Sequence, residues 1–108
     1  MTDVLLIYIP CSSSEEAKKI AIHLMETKLC ACVNIFPEMF PMYFWPPKSN
    51  ILEQGKEVVL IAKTIESKYN ALENEVKKIH SYDVPCIIAI PTAHVNQTYY
   101  DWLISEMK

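Results

Sequence analysis

The sequence predicts an α+β domain of element order β-α-β-β-α-β, the split βαβ arrangement of ferredoxin-like folds, with one more helix at its C-terminal end. Three observations carry this. Two short runs, Val4-Leu5-Leu6-Ile7-Tyr8-Ile9 and Ile87-Ile88-Ala89-Ile90, are apolar at both parities, so each reads as a strand covered on both faces. Two other segments repeat apolar residues at helical spacing. Between them, Leu29 to Thr64 holds two limbs rich in β-branched, aromatic and aliphatic residues, separated by Lys48, Ser49, Asn50 and Gly55. That pattern reads as one long β-hairpin between the second and third strands. The 108 residues suffice for a single domain, residues 1–108, with a real core.

The first strand ends at Pro10. Ser12-Ser13-Ser14-Glu15-Glu16 then starts a helix: Ser13 caps it, Glu16 is the return partner, and the acids suit its positive end. Ala17, Ile20, Ala21, Leu24 and Met25 form its apolar stripe, and the helix is expected to end near Lys28, with His23 on its solvated side. Pro37 and Pro41 interrupt the first limb of the hairpin, which must therefore be an edge strand, bent, or bulged there. Gly55, the only glycine, is expected at a turn or bulge. A second helix begins at Ser67 with Tyr69, Leu72, Val76 and Ile79 inward, and the loop His80 to Pro85 must be extended before its proline. The last strand is closed by Pro91, and Asn96 to Met107 reads as a short helix with Tyr99, Trp102 and Leu103 on one side.

This order leaves one face of the sheet in difficulty. Right-handed crossovers place both main helices on the same face. The strands are apolar on both, and the terminal helix is too short to cover the second. Packing against copies of the same chain resolves the conflict, and closed symmetric assemblies are the usual form.

Composition excludes several classes. The net charge is −3 and all ten basic residues are lysine, so the arginine that usually reads phosphate or carboxylate bidentately is missing. Nucleic acid is set aside as a partner. No apolar run approaches the roughly 20 residues that span a bilayer, and Asp3 with no basic flank argues against a secretory signal, so no membrane is expected and the expected location is cytoplasmic. The chain is not expected to be an enzyme: it has no glycine-rich phosphate loop, no Ser-His-Asp order and no HExxH.

Several residues nonetheless carry chemistry. His80 sits at a helix C-terminus, where a protonated imidazole is favoured; it is either a capping histidine that fixes the following loop or a metal ligand. Cys86 lies across that loop. Cys30 and Cys32 alternate and would share a strand face, as a soft-ion chelate or as core. Tyr43 and Trp45 share a face, and Tyr82, Tyr99 and Trp102 add aromatics, for either a ligand cleft or a subunit interface. Glu57 and Lys63 bracket the strand that carries them, as ordinary end charges or as the lining of an inter-subunit pocket.

Five dispersed strings resemble one family. Leu29-x-Ala31-Cys32-Val33-Asn34-Ile35, Tyr43-x-Trp45, Glu57 with Lys63-Thr64, His80-x-Tyr82-x-x-Pro85 and Tyr99-x-x-Trp102-Leu103 are similar in order and spacing to motifs of the CutA divalent-cation tolerance proteins. The resemblance implies a homotrimer of PII-like shape that serves tolerance of divalent metals, copper above all. Taken with that role, the residues themselves point to His80, with Cys86 or Cys32, as the ligands of copper or another divalent cation. The resemblance also implies, as the alternative, a PII-like regulatory or scaffolding trimer that holds a small ligand or a partner protein in inter-subunit clefts. The chain departs from the family at Cys30, Pro41, Pro46-Pro47, an insertion near Ser49 to Ile51, Ser81 and Cys86. Cys86 stands where the family usually has glutamate, an exchange of a hard oxygen for a soft thiolate that favours Cu(I) or zinc.

Overall fold

A computed structural model describes residues 1–108. The elements are β1 (Val4–Cys11), α1 (Ser14–Glu26), β2 (Cys32–Met39), β3 (Met42–Phe44), β4 (Leu52–Gln54), β5 (Glu57–Ile65), α2 (Tyr69–Ile79), β6 (Ile88–Pro91) and α3 (Gln97–Glu106). One four-stranded sheet has the order β2-β5-β1-β6, with every neighbouring pair antiparallel. β1 is central, as its unbroken apolar run predicts, and β2 and β6 are the edges.

The predicted hairpin exists but in two stages. Its inner part is β2 against β5, from Cys32↔Lys63 to Phe36↔Val59; the register then slips before Met39↔Glu57. The slip falls at Pro37, which cannot donate to the ladder. Beyond Pro41 the limbs pair again as β3 and β4, a separate two-stranded arm with Tyr43 opposite Glu53. The arm stretches the molecule to 46 Å along its longest axis. Gly55 does not supply left-handed backbone; Lys48 and Asn50, at φ 64° and 60°, do so in the tip turn.

The caps are legible residue by residue. Ser13 accepts from the Glu16 N–H at 3.1 Å, as expected. α1 closes with Leu29 N–H to Leu24 C=O (2.9 Å) and Lys28 N–H to Met25 C=O (3.1 Å), a Schellman motif whose left-handed residue is Lys28 at φ 61°. The second helix differs from expectation: Ser67 lies in a 3-10 turn, Glu66–Lys68, and α2 begins without a side-chain cap. His23 is not simply solvated. Its Nε2 meets Glu75 of α2 at 2.9 Å and ties the two helices together.

Register assigns the two faces. Leu5, Ile7, Ile9 and Cys11 of β1 and Val58, Leu60 and Ala62 of β5 pack against Ala17, Ile20 and Leu24 of α1 and Leu72 and Val76 of α2. Cys30 joins this core, while Cys32 opens β2 opposite Lys63 on the other face. The two cysteines therefore do not form the expected same-face pair: Cys30 precedes the strand, so strand alternation does not govern it. α3 covers only one end, where its Leu103 and the Met107 that follows it pack with Val4 and Ala31. The rest of the second face stays open within one chain. Leu6 pairs with Ile90 and Tyr8 with Ile88 there, and Phe36, Ile88 and Ile90 are 51%, 52% and 43% exposed.

Candidate functional site

Two antiparallel helices on one sheet bring the start of α1 and the end of α2 to the same end of the molecule. His80, the residue after α2, is buried there, and its ring is held at both nitrogens. Nε2 lies 2.8 Å from the Pro10 carbonyl, and Nδ1 accepts from the Tyr82 N–H at 3.1 Å. A carbonyl partner at one nitrogen and an N–H partner at the other require the neutral ring with its proton on Nε2. The two bonds let the ring fix the loop that follows it against the end of β1.

Cys11 and Glu16 stand beside it. One ligand-type atom each from Cys11, Glu16 and His80 lies within 4.8 Å of the other two. The Cys11 thiol is buried and donates to the Ile9 carbonyl at 3.6 Å; burial, then Glu16 and Glu57, push it up to about 12. The Glu16 carboxylate accepts from Ser12 N–H (2.8 Å), Ser12 Oγ (3.0 Å) and, sixty-five residues away, Ser81 N–H (2.8 Å). Burial alone would raise this carboxyl, but the bonds from Ser12 and Ser81 outweigh it and lower it from 4.5 to about 2. Thiol, imidazole and carboxylate together suit a soft or borderline ion such as copper or zinc.

A cleft of about 580 Å³ adjoins this corner, between the β3–β4 arm and the loop after His80. Tyr43, Trp45, Glu57, Tyr82 and Cys86 all line it, as do Phe44 and Asp83. Tyr82 donates to Glu57 Oε2 at 2.6 Å and packs against the His80 ring, centroids 4.7 Å apart. Burial, and then the Glu57 carboxylate, push the Cys86 thiol upward.

The remaining residues gather elsewhere. Lys63 Nζ lies 3.8 Å from Cys32 Sγ and 5.5 Å from the Tyr99 ring centroid, and Tyr99 stacks obliquely on Trp102 at 5.6 Å. The Tyr99 hydroxyl is buried with no hydrogen-bond partner in the chain. Cys32 is thus at the opposite end of β5 from Glu57, and His80, Cys86 and Cys32 are not the group that comes within ligand distance. Cys11 and Glu16 escaped sequence reasoning as ligands: Glu16 read as the return partner of a helix cap, and no motif singled out Cys11. The signal was topological, because a βαββαβ order already places the start of one helix beside the end of the other.

A family model described as CutA1 divalent ion tolerance protein matches residues 5–106. The chain belongs to the CutA1 family. It is 43% identical over 97 residues to the divalent-cation tolerance protein CutA of Archaeoglobus fulgidus, covering 90% of this chain and 91% of that one. The CutA of Thermus thermophilus is 41% identical over 103 residues, 95% of each chain. Among solved structures, the periplasmic divalent cation tolerance protein CutA from A. fulgidus superposes with a TM-score of 0.91 at 38% identity, covering 97% and 99% of the two chains. CutA1 from Oryza sativa gives 0.91 at 35% identity, covering 97% and 94%. These relatives are named for tolerance of divalent cations and not for a reaction. The fold read from this CutA1 chain's sequence is therefore also the fold of its relatives, and the five motif strings fall inside the matched span.

Proposed function

We propose that the protein is a homotrimer that takes up divalent ions, copper foremost, and that the ion's port of entry is the His80 corner. The observation that carries this reading is the convergence of Cys11, Glu16 and His80 within 4.8 Å, in a chain whose relatives are divalent-cation tolerance proteins. The ion is cargo. To bind, it displaces the Cys11 proton and takes an imidazole nitrogen from its present partner, so uptake rises with pH. Cys86, across the loop, supplies a further soft donor as the loop adjusts, whereas Cys32 lies too far along β5 to share this site. The four cysteines are unpaired, which suits a reducing compartment such as the cytosol.

Assembly rests on the open sheet face. Leu6, Tyr8, Phe36, Ile88 and Ile90 form an apolar surface that no element of the chain covers, and the arm adds Phe40, Ile51 and Leu52. Burying such a face contributes roughly 25 cal/mol per Å².

Native mass spectrometry across a copper titration under reducing conditions tests both parts, with Cys11→Ala, His80→Ala and Cys86→Ala alongside the parent. A trimer taking up three ions, fewer in the Cys11 and His80 variants, supports the reading. A monomer at micromolar concentration, or uptake that no substitution changes, overturns it.

A further inference from the structure

The cleft between the arm and the His80–Cys86 loop has a chemistry that the metal reading does not use. Its walls are aromatic: Tyr43 and Trp45 on the arm, Tyr82 on the loop. Its charged groups are both acidic, Glu57 and Asp83; no lysine or histidine lines it. Glu57 is half-buried, yet no lysine stands within 4 Å of it. One of its oxygens, Oε2, holds the Tyr82 hydroxyl, and the other makes no hydrogen bond within the chain. The adjacent Lys56 turns away and meets Glu38 at 3.5 Å. A carboxylate taken partly out of water without a counter-charge is costly, and the aromatic faces beside it carry negative potential.

We propose that this cleft binds a small organic cation, an amine or quaternary ammonium with an apolar body. The aromatic walls take the body and the face of the charge, as in aromatic cages. Glu57 and Asp83 neutralise it. The volume of about 580 Å³ lies within the usual range for small-molecule sites. Anionic ligands are disfavoured, since the chain has no arginine and the cleft no basic group. Inorganic divalent ions are less suited, because Glu57, Asp83 and Cys86 do not converge within ligand distance. The proposal shares only Cys86 with the metal reading and draws on none of Cys11, Glu16 and His80.

The test is a calorimetric titration of the full chain with benzyltrimethylammonium, against benzyl alcohol, which keeps the ring and loses the charge. The expected result is saturable binding of the cation at one site per chain, at least tenfold tighter than the alcohol and weakened by added salt. Glu57→Gln, which still accepts from Tyr82, should weaken the cation at least tenfold and leave the alcohol unchanged. Trp45→Leu, which removes one aromatic wall, should weaken the cation at least tenfold. No saturable binding at millimolar cation overturns the proposal. Equal affinity for the neutral alcohol also overturns it, as does a neighbouring subunit's lysine found seated on Glu57 in the assembled protein. Copper uptake unchanged by Glu57→Gln would separate this result from the fate of the metal port.

Discussion

On one side of the His80–Cys86 loop every functional polar atom has a partner inside the chain. His80 spans Pro10 and Tyr82, Glu16 gathers Ser12 and Ser81, and the Cys11 thiol reaches Ile9. On the other side the β3–β4 arm leaves Phe40, Phe44 and Trp45 exposed and Glu57 without a cation, and behind it the sheet leaves Phe36, Ile88 and Ile90 bare. The first region is braced within one chain, so an ion enters it only by displacing the Cys11 proton and a His80 hydrogen bond. The second keeps its unpaired groups for something that arrives later. Groups that satisfy one another locally make a rigid corner, while uncovered apolar area and uncompensated charge are what recognition needs.

The largest effect is expected where the chain is least complete. Ile90→Asp places a carboxylate on the open sheet face. If that face is buried between subunits, the substitution costs about 3–5 kcal/mol per subunit and yields a monomer at micromolar concentration in light scattering. A persistent trimer would move the interface elsewhere and erase the contrast between the two regions.

Within the complete region, His80→Ala removes two hydrogen bonds and a buried ring. It strands the Pro10 carbonyl and the Tyr82 N–H, and is expected to lower the unfolding free energy by about 2–4 kcal/mol in urea at fixed protein concentration. Tyr82 loses its anchor in the same variant, so the cleft should loosen as well. A loss below about 0.5 kcal/mol would mean that the corner is not the brace described here.

A smaller effect, with a definite pH signature, belongs to Glu16. Its carboxyl is lowered on folding from 4.5 to about 2, so the unfolded chain binds the proton more tightly. The stabilisation is fully present above about pH 4.5 and is lost as pH falls toward 2. Glu16→Gln should cost about 1 kcal/mol at neutral pH and flatten stability between those values in acid unfolding. An unchanged acid limb would show that the Ser12 and Ser81 bonds do not differ between the folded and unfolded states.

The smallest effect sharpens the comparison from the stable side. Lys28 occupies a left-handed position that favours glycine, and its contact with Lys68 runs through its own carbonyl. Lys28→Gly should therefore raise stability by about 0.5–1 kcal/mol, read as a higher melting temperature, without altering assembly or binding.

Patterning alone determined the layout. An apolar run at both parities marked β1 and β6 as strands, though only β1 proved central and β6 is an edge with Ile88 and Ile90 exposed; a 3.6-residue stripe built α1 and α2, and Ser13 capped α1 as its position predicts. Pro37 and Pro41 marked the slip and the break in the hairpin because a missing N–H is a local property of the chain. Cys32 beside Lys63, His23 against Glu75 and Glu16 reaching Ser81 were not legible. Each depends on which elements lie side by side in space and where each strand begins. Cys30 and Cys32 share a parity, yet the strand starts only at the second, and one went to the core and the other to the open face. His80 was visible as a residue of interest, but its neutral ring and its neighbours Cys11 and Glu16 came from the packing of two helix ends on one sheet. Local periodicity is written in the order of the residues. The meeting of side chains across the fold is decided by register and helix docking, which no short stretch of sequence contains.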